Sequence, residues 1–490
     1  MWRIARFVRR TCAVFPLLWL LALVAPSGGA ADRHPVSVAD AITMTRLSDQ
    51  RYFLGSSSEG RVTQFSPDGK WFTIVLERGD IEHNSILYSL LLFETDRAFD
   101  SPNPSVLITL PSFSNRPAIK DPKWLEDNET LVFLCEEGGK SPQVCALNRS
   151  TRQIQKRTQH ETPVLSFDVS RDGKVIVFLA EAPPRSDREE AKRKAMVVTT
   201  ETPDALPRAD CTCRHVDLTE PNRVYLKVGN ASENRVSFAD FVFSYQSISL
   251  SPDGRYAVMP AAVTDVPEEW RGYKDRLVQE YVREKRSPGR FSFLGRYLLL
   301  DTTTGRIQPL INAPLAPRTE GFAWAEDSRS VVVSGTFLPL GSADPKERRL
   351  REEKSFVVEV NAESGNFAKI TDRKLQLTRS LYRADEILLQ QPFGVAAPPV
   401  AFRKRSGQWK EVPAALSDMQ NDAQVAVTLD EDLNTPPDIY VSDRTNHRRR
   451  LLLALNPQFA NVEFGSAESV SWKATDGHEV SGILKLRARL

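Results

Sequence analysis

The 490-residue sequence has few of the residues that build metal centres and catalytic triads, with six histidines and five cysteines. The histidines are scattered, so they indicate neither a triad nor a metal cluster. The net charge is only +2, which gives no basis for nucleic-acid binding. After residue 31, no apolar run is long enough to span a membrane. We therefore expect no cofactor, no metal, no nucleic acid and no stable membrane span in the mature chain.

Residues 1–31 have the pattern of a secretory signal peptide. Arginines between residues 3 and 10 precede an apolar run over residues 13–25, and small residues follow up to Ala31. The alternative is a membrane anchor, but spanning takes about 20 apolar residues and this run is shorter. We expect cleavage near Ala30 or Ala31, which makes the protein periplasmic or secreted.

Removal of the signal peptide would leave Cys135, Cys145, Cys211 and Cys213, an even number in an oxidising compartment. Cys135 and Cys145 flank a turn that contains Gly138-Gly139, so a disulfide across a hairpin is one expectation. The segment Cys211-Thr212-Cys213-Arg214-His215 would project both thiols and the imidazole from one face of a strand. A structural zinc needs a fourth ligand, so a disulfide or free thiols are favoured over a metal there.

A turn motif recurs along the chain. Ser66-Pro67-Asp68-Gly69 returns as Ser170-Arg171-Asp172-Gly173 and as Ser251-Pro252-Asp253-Gly254, each before an apolar strand. Proline presets the first turn dihedral, aspartate bonds the backbone ahead, and glycine accepts positive φ. Weaker copies are Leu125-Glu126-Asp127-Asn128, Ala325-Glu326-Asp327-Ser328 and Arg383-Ala384-Asp385-Glu386, and a further copy begins near Ala423.

This recurrence of strand and turn predicts an all-β fold, a β-propeller over residues 32–455, with seven blades or, as the alternative, eight. Seven copies average about 60 residues, more than the roughly 40–45 of a compact blade, so insertions are expected. Residues 183–195 predict a short exposed helix. Residues 263–286 predict a second helix capped by Asp265, with an aromatic stripe that packs on the propeller. The stripe consists of Trp270, Tyr273, Leu277 and Tyr281.

Two C-terminal segments resemble the prolyl oligopeptidase family of serine peptidases. Asn434-Thr435-Pro436-Pro437-Asp438-Ile439-Tyr440-Val441, followed by Leu455-Asn456-Pro457, is similar to that family's last blade and exit linker. Val470-Ser471-Trp472-Lys473 with Thr475-Asp476-Gly477 and the next strand is similar to the first hairpin of its hydrolase domain. Residues 36–42 are similar to the lead-in of the same exported peptidases. The turn repeats also resemble those of TolB-like periplasmic propellers, so they specify fold better than function.

The resemblance implies that residues 456–490 are a linker and the first hairpin of an α/β-hydrolase domain whose catalytic residues would follow. In that fold the serine sits in a Gly-x-Ser-x-Gly elbow, and the acid and the histidine come later in the chain. The sequence contains no such elbow, since Gly55-Ser56-Ser57-Ser58-Glu59-Gly60 has glutamate at the second glycine position. A surface loop is the expected structure there.

We therefore expect the propeller part of a truncated, frameshifted or split peptidase, inactive as this chain alone. Its role would be to gate peptide substrates for a hydrolase domain, and its partners would be a peptide or a separately encoded hydrolase domain. The alternative is a stand-alone TolB-like propeller that acts as a protein-interaction module. The hairpin over residues 469–486 should expose its apolar residues, because they belong to a larger sheet in the family.

Glu268 and Glu269 resemble the glutamate pair by which dipeptidyl peptidases of the family hold a substrate's amino terminus. The aromatic-acidic motif around that pair is absent here. Glutamate is also favoured at helix N-termini for its interaction with the helix dipole. A structural role is therefore favoured for both residues, and no catalytic residue is assigned.

Overall fold

The computed structural model describes residues 34–48, 62–114, 116–183, 222–236, 241–242, 247–263, 265–284, 294–316, 321–341, 344–383, 385–391, 399–413, 425–432, 435–443 and 448–486. The signal peptide, residues 184–195 of the first insertion, the 55–60 loop, and Cys211 with Cys213 lie outside these ranges. Contacts divide the chain into two compact units, residues 38–456 and residues 1–37 with 457–490. The smaller unit begins in the described part with β1 (His34–Pro35).

In its described part, the larger unit consists of antiparallel sheets that follow one another along the chain, with seven of them in the order below. Sheet 1 contains β2 (Arg46–Leu47), β3 (Gln64–Phe65), β4 (Trp71–Asp80), β5 (Ser85–Glu94) and β6 (Ser105–Ser112); sheet 2 contains β7 (Ile119–Trp124), β8 (Thr130–Cys135), β9 (Gln143–Asn148) and β10 (Ile154–Lys156); sheet 3 contains β11 (Val164–Val169), β12 (Val175–Ala180), β13 (Arg223–Val228) and β14 (Asn234–Val236). Sheet 4 contains β15 (Phe241–Val242), β16 (Ser249–Leu250), β17 (Tyr256–Val263), β18 (Gly295–Asp301) and β19 (Ile307–Pro309); sheet 5 contains β20 (Gly321–Trp324), β21 (Ser330–Thr336), β22 (Phe356–Asn361) and β23 (Phe367–Thr371). Sheet 6 contains β24 (Gln376–Arg383), β25 (Glu386–Gln390), β26 (Val400–Arg405) and β27 (Gln408–Val412); sheet 7 contains β28 (Val425–Asp430), β29 (Asp438–Asp443) and β30 (Arg449–Ala454).

The helices in the described part of this unit are short. They are α1 (Val38–Thr43), a 3-10 helix (Glu268–Gly272), α2 (Arg276–Glu284) and α3 (Pro345–Glu353).

The recurring turn has the same internal bonds in its three strong copies. In the first, the Ser66 hydroxyl donates to Asp68 Oδ1 over 2.6 Å and accepts from the Trp71 backbone N–H over 3.1 Å. Gly69 has φ +70°, the left-handed conformation that glycine adopts without strain. The serine of each later copy makes the same two bonds. The turn chemistry predicted from the sequence is therefore confirmed.

These turns also join consecutive sheets. From sheet 1 to sheet 5, a backbone N–H in the turn of each sheet donates a hydrogen bond to the turn of the following sheet. The bonds run from Asp68 N to Asn128 Oδ1 (2.9 Å), Glu126 N to Arg171 O (2.9 Å), Arg171 N to Pro252 O (3.4 Å) and Asp253 N to Ser328 Oγ (3.0 Å). The turns of five successive sheets thus lie side by side on one face of the unit.

We call the strand directly before each recurring turn the first strand of its sheet, which is β3, β7, β11, β16 and β20 in sheets 1 to 5. These strands contact one another in neighbouring sheets, as β3 does with β7, β11 with β16, and β16 with β20. Two tryptophans at the ends of such strands bind the preceding sheet. Trp124 Nε1 donates to Gln64 O over 3.0 Å, and Trp324 Nε1 donates to Ser249 O over 3.1 Å. Sheets that meet through their first strands radiate from a common centre, which is the arrangement of a β-propeller. The predicted all-β propeller is confirmed, and the seven-blade count stays a prediction.

Side chains close the ring between sheets 1 and 7. Leu47 and Phe72 share one buried apolar cluster with Val427, Ile439 and Leu455. Two hydrogen bonds also join the two ends of this unit. Thr45 N donates to Asn456 Oδ1 over 2.8 Å, and Asn456 Nδ2 donates to Thr45 O over 2.9 Å. The described strands of sheet 1 all come from residues 46–112, and those of sheet 7 all come from residues 425–454. In the described residues, therefore, side chains join these two sheets, and neither sheet includes a strand from the other end of the unit.

The single helix predicted over residues 263–286 is wrong. Val263 belongs to β17, and a 3-10 helix and α2 follow, with Tyr273 extended between them at φ −74° and ψ 139°. Pro267 stands before the first helix, and the cap of α2 is Asp275, whose carboxylate accepts from Val278 N over 3.2 Å, rather than Asp265.

The packing predicted for the stripe is confirmed for three of its aromatics. Trp270, Tyr273 and Tyr281 are at most 4% exposed and lie in the main apolar cluster. The Tyr273 hydroxyl donates to Leu338 O over 3.0 Å, which joins this insertion to the segment after β21.

Gly254 offers a test of how closely the turns pack. Its φ is +77°, and a Cβ there would lie 2.8 Å from Ser170 Cβ of the neighbouring turn. We expect Gly254→Ala to lower the free energy of unfolding by about 2–3 kcal/mol, from backbone strain together with a steric clash. Gly305 has φ +71° with no atom near its Cβ position, so Gly305→Ala should lose only about 1 kcal/mol. Equal losses in urea unfolding would contradict close packing of the turns.

The smaller unit contains one hairpin and a short two-stranded sheet in its described part. A 3-10 helix (Pro457–Asn461) leads into β31 (Val462–Glu463), which pairs with β1 in parallel. The hairpin consists of β32 (Ser466–Lys473) and β33 (Glu479–Leu486). Gly477 closes its turn at φ +88°, donating to Ala474 O over 2.9 Å.

Candidate functional site

The first strands of sheets 2 to 4 carry a polar cluster at the centre of the propeller. Lys123 Nζ on β7 lies 2.5 Å from Asp168 Oδ1 on β11. The other carboxylate oxygen of Asp168 accepts from Leu250 N on β16 over 2.8 Å. Asp168 is mostly buried, with 13% of its side chain exposed, whereas 35% of Lys123 is exposed. One carboxylate therefore joins three successive sheets and leaves a lysine at the inner surface.

The backbone of β7 explains how two lysines come to this surface. Asp121 has φ +51°, and the pairing of β7 with β8 shifts register between Lys120 and Lys123. An irregularity of this kind changes the direction of the side chains around it. Lys120 Nζ donates to Leu165 O on β11 over 3.3 Å, so it also joins sheets 2 and 3. Sequence reasoning missed this cluster, although a charged Lys120-Asp121-Pro122-Lys123 run within a strand was its available signal.

Glu268 and Glu269 do not converge on a common position. Glu268 pairs with Arg271 over 2.8 Å, and Asn312 Nδ2 donates to Glu269 Oε1 over 3.3 Å. Both glutamates are exposed, and only Trp270 beside them is buried. Each carboxylate thus has its own neighbour, Arg271 in the insertion for Glu268 and Asn312 after β19 for Glu269. Binding of a substrate amine by the pair stays a prediction.

Two of the cysteines lie together in the core of sheet 2. Cys135 ends β8 and Cys145 lies on β9, with their Cα atoms 5.9 Å apart and their sulfurs joined as a disulfide. Both are buried, at 2% and 0% exposure. Cys211 and Cys213 lie outside the described residues. Within the described ranges, no three or more histidine, cysteine or carboxylate side chains are grouped to hold a metal ion.

The Cys135–Cys145 bond should be present in the oxidised protein. We expect Cys145→Ser to lower the free energy of unfolding by about 2–3 kcal/mol. The disulfide limits the conformational entropy of the unfolded chain, so its loss makes unfolding more favourable. Mass spectrometry of an unreduced digest should find the two cysteine peptides linked. Two free thiols at these positions, with unchanged stability in Cys145→Ser, would contradict the pairing.

The aspartates of the recurring turns are acceptors of several hydrogen bonds. Partial burial alone would raise the pKa of Asp172, but bonds from Lys174, Ser170 and the backbone outweigh it and lower this pKa to about 2. Burial alone would also raise the pKa of Asp68, but hydrogen bonds from Ser66 and Lys70 outweigh this effect and lower the pKa. The turns at Asp68 and Asp172 therefore favour the charged form of their carboxylates.

This lowered pKa predicts a pH dependence. An unfolded aspartate titrates near pH 3.9, so the folded state binds the proton less tightly than the unfolded state. The stability from the charged Asp172 should be complete above about pH 4 and lost as the pH falls toward 2. In urea melts, the wild type should exceed Asp172→Asn in stability at pH 7, and the difference should shrink below pH 4 and disappear below about pH 2. A difference that stays constant over this range would exclude the carboxylate as the cause.

The hairpin of the smaller unit has one apolar face. The register pairs Trp472 with Val480, Val470 with Gly482, and Glu468 with Leu484, which places these residues on the same side. Trp472 is 51% exposed, Leu484 45% and Leu486 43%. The exposure predicted for the hairpin is confirmed for these residues. We call the surface formed by Val470, Trp472, Val480, Leu484 and Leu486 the apolar hairpin face.

Gly482 allows the tryptophan to lie flat on this face. A Cβ on Gly482 would come within 3.2 Å of the Trp472 ring, so the ring covers the position that a side chain would occupy. Exposed apolar faces on two-stranded sheets are typical of surfaces that bind another protein surface. In the described part of the chain, no helix is both long and apolar enough to cross a membrane.

Comparison with known proteins finds likeness in structure and none in sequence. No protein-family model matches the chain, and no curated protein sequence matches it. Acylaminoacyl peptidase from Pyrococcus horikoshii matches with a TM-score of 0.51 and 11% identity, over 92% of this chain and 59% of that one. The β-propeller domain of the Trilobed protease from Pyrococcus furiosus matches with a TM-score of 0.33 and 10% identity, over 80% and 84%. TolB from Acinetobacter baumannii matches with a TM-score of 0.30 and 14% identity, over 62% and 52%.

The likeness to acylaminoacyl peptidase agrees with the arrangement of sheets described above. The class of structure is a β-propeller like those of propeller-bearing peptidases, and at 11% identity the likeness shows this fold alone. The chain spans about three fifths of the length of that peptidase.

Proposed function

We propose that this chain is the non-catalytic propeller portion of an exported peptidase of the prolyl oligopeptidase type. Its role is to limit which peptides reach a hydrolase domain. That domain supplies the serine, acid and histidine, whether it is joined to this chain or encoded separately. The N-terminal signal-peptide pattern supports export.

The observation that carries this proposal is the extent of the structural likeness, taken together with the exposed hairpin in the last described part of the chain. The match covers 92% of this chain and 59% of an acylaminoacyl peptidase. The described chain ends in a hairpin whose apolar face is exposed. A hydrolase sheet that pairs with this hairpin would cover Trp472 and Leu484 and remove their apolar area from water.

The propeller's own contribution is access rather than chemistry. The sequence has no Gly-x-Ser-x-Gly, the elbow that presents the serine nucleophile in the α/β-hydrolase fold. The bonds among the turns and the Lys123–Asp168 pair fix the first strands of sheets 2 to 4 relative to one another. A rigid inner wall of this kind admits a flexible peptide and excludes a folded protein by size.

Co-purification tests the proposal. The chain would be produced with the hydrolase-coding sequence that follows or neighbours its gene, with an affinity tag on the propeller alone. We expect the hydrolase to co-purify and the assembly to cleave short peptides but not folded proteins, while the purified chain alone cleaves neither. Trp472→Ser with Leu484→Ser should weaken the association at least tenfold, as for central interface residues.

A matched control uses Ile81→Ser, which removes an apolar residue that is 51% exposed on the propeller and should leave the association unchanged. A hydrolase that fails to co-purify would contradict the proposal and favour a stand-alone propeller that holds a protein partner. Equal weakening by both variants would show that the apolar hairpin face is not the docking surface.

A further inference from the structure

A polar cleft lies between the outer parts of sheets 2 and 3, away from the first strands. Its volume is about 410 Å3. One wall is β10 with the residues that follow it, and the other is the turn that joins β13 to β14. We call it the sheet 2–3 cleft.

Positive side chains reach the cleft from both walls. Lys156 and Arg157 come from the first wall and Lys227 from the second. Arg157 Nη2 donates to Gly173 O over 2.9 Å, and Lys227 Nζ donates to Ala231 O over 3.1 Å. These partners are backbone carbonyls, which neutralise no charge. Lys156 has an ion pair, over 3.1 Å, with Glu137, which is 57% exposed and therefore weakly held.

Glu233 is the carboxylate among the residues that line the cleft, and its hydrogen-bond partners lie in the connection between β10 and β11. Its Oε1 accepts from Gln159 N over 2.8 Å, and its Oε2 lies 3.0 Å from His160 Nδ1. Only 16% of the Glu233 side chain is exposed. The cleft thus contains three cations against one carboxylate that already has two partners, which leaves an excess of positive charge.

The same contacts hold the two walls in place. The His160 ring packs on Tyr225 of β13 with a centroid distance of 4.2 Å and meets the edge of Phe178 of β12 at 5.4 Å. The backbone of His160 is bonded on the other side to Gln143 of β9 over 2.8 Å. The connection between sheets 2 and 3 is thereby fixed to the turn that forms the opposite wall. A preformed cleft binds its ligand without first ordering its own residues.

We propose that the sheet 2–3 cleft binds a ligand through a phosphate group that carries at least two negative charges. Guanidinium and ammonium groups on both walls of one cleft supply several donors to a phosphate, whose oxygens accept from several donors at once. Among the lining residues, the three cations Lys156, Arg157 and Lys227 and the carboxylate of Glu233 leave a net charge of +2, which equals the charge of a phosphate dianion in magnitude. This inference is independent of the proposed function, because the cleft lies outside the first strands and the hairpin. The phosphate could belong to a free ion or to a lipid headgroup.

Calorimetric titration of the mature chain with sodium pyrophosphate at low ionic strength tests the site. We expect one pyrophosphate per chain, with at least fivefold weaker binding in Arg157→Gln and in Lys227→Gln. Lys410→Gln changes an exposed lysine on β27 and should bind as the wild type does. Thermal melts check that Arg157→Gln folds, and Lys227→Gln gives a second reading should it not.

Vesicles distinguish the two sources of phosphate. Co-sedimentation with phosphatidylglycerol vesicles but not with phosphatidylcholine, lost in Lys227→Gln and competed by pyrophosphate, would assign the site to a lipid headgroup. Pyrophosphate binding without co-sedimentation would assign it to a free phosphate compound. Absence of pyrophosphate binding to the wild type, or equal affinity in both cleft variants and Lys410→Gln, would overturn the proposal.

Discussion

Glu359→Ala should lower the free energy of unfolding by about 3–5 kcal/mol, because it removes one partner of a buried charge network. Glu359 lies on β22 of sheet 5 and is 5% exposed. Its carboxylate accepts from Ser330 Oγ over 2.8 Å, Lys404 Nζ over 2.8 Å and Trp409 Nε1 over 3.0 Å. Lys404 and Trp409 belong to sheet 6, so the alanine variant removes the acceptor that joins sheets 5 and 6 at this junction.

The control for this prediction is Glu363→Ala, in the turn after the same strand. The Glu363 side chain is 78% exposed and lies 3.9 Å from Arg255, so its loss should change stability by less than about 0.5 kcal/mol. Replacing the pair together, in Glu359→Met with Lys404→Met, should recover much of the loss, since no charge is then left buried. Urea unfolding measures all three. A small loss in Glu359→Ala would show that water reaches the carboxylate in solution.

Trp472→Ser with Leu484→Ser should reduce the binding of a hydrophobic fluorescent dye to the chain by roughly half, because the apolar hairpin face places several exposed apolar side chains on one side of the hairpin. Trp472 is 51% exposed and Leu484 45%, and both lie on the same side of the hairpin. The measurement is dye fluorescence at fixed protein concentration.

Ile81→Ser with Val106→Ser is the matched control for the hairpin variant. These residues are 51% and 46% exposed but lie on the propeller, so their loss should leave dye binding unchanged. Dye binding that falls equally in both double variants would mean that exposed apolar residues contribute wherever they lie, and that the hairpin presents no distinct surface.

Local chemistry explains why the propeller could be predicted from the sequence. The Ser-Pro-Asp-Gly turn is specified within six residues, since the serine hydroxyl bonds both Asp68 and Trp71 in the first copy. Weaker copies keep the same conformation with Asn128 and Ser328 at positive φ, where the strong copies have glycine. Recurrence of such a turn before each strand indicates repeated sheets regardless of how the sheets contact one another.

The polar clusters could not be predicted, because their members come together only when the sheets are assembled. Lys123 and Asp168 are 45 positions apart, and so are Glu359 and Lys404. Their pairing depends on the register of one sheet against the next, which the chain does not encode locally. The insertion after β17 shows a different error. The helical spacing of its aromatic residues predicted one continuous helix, although Pro267 and the extended Tyr273 interrupt the segment. Apolar periodicity identified the buried face there but did not locate the break between the two helices.

The most direct test of the proposed function is the nucleotide sequence that follows codon 490 in the source genome, read in all three frames and in the adjoining genes. We predict a hydrolase reading frame that contains Gly-x-Ser-x-Gly, followed by an acidic residue and then a histidine. Such a frame would make this propeller the gate of a peptidase. A genome with no hydrolase frame beside this gene would contradict the gating role, and binding of a protein partner would become the function to test.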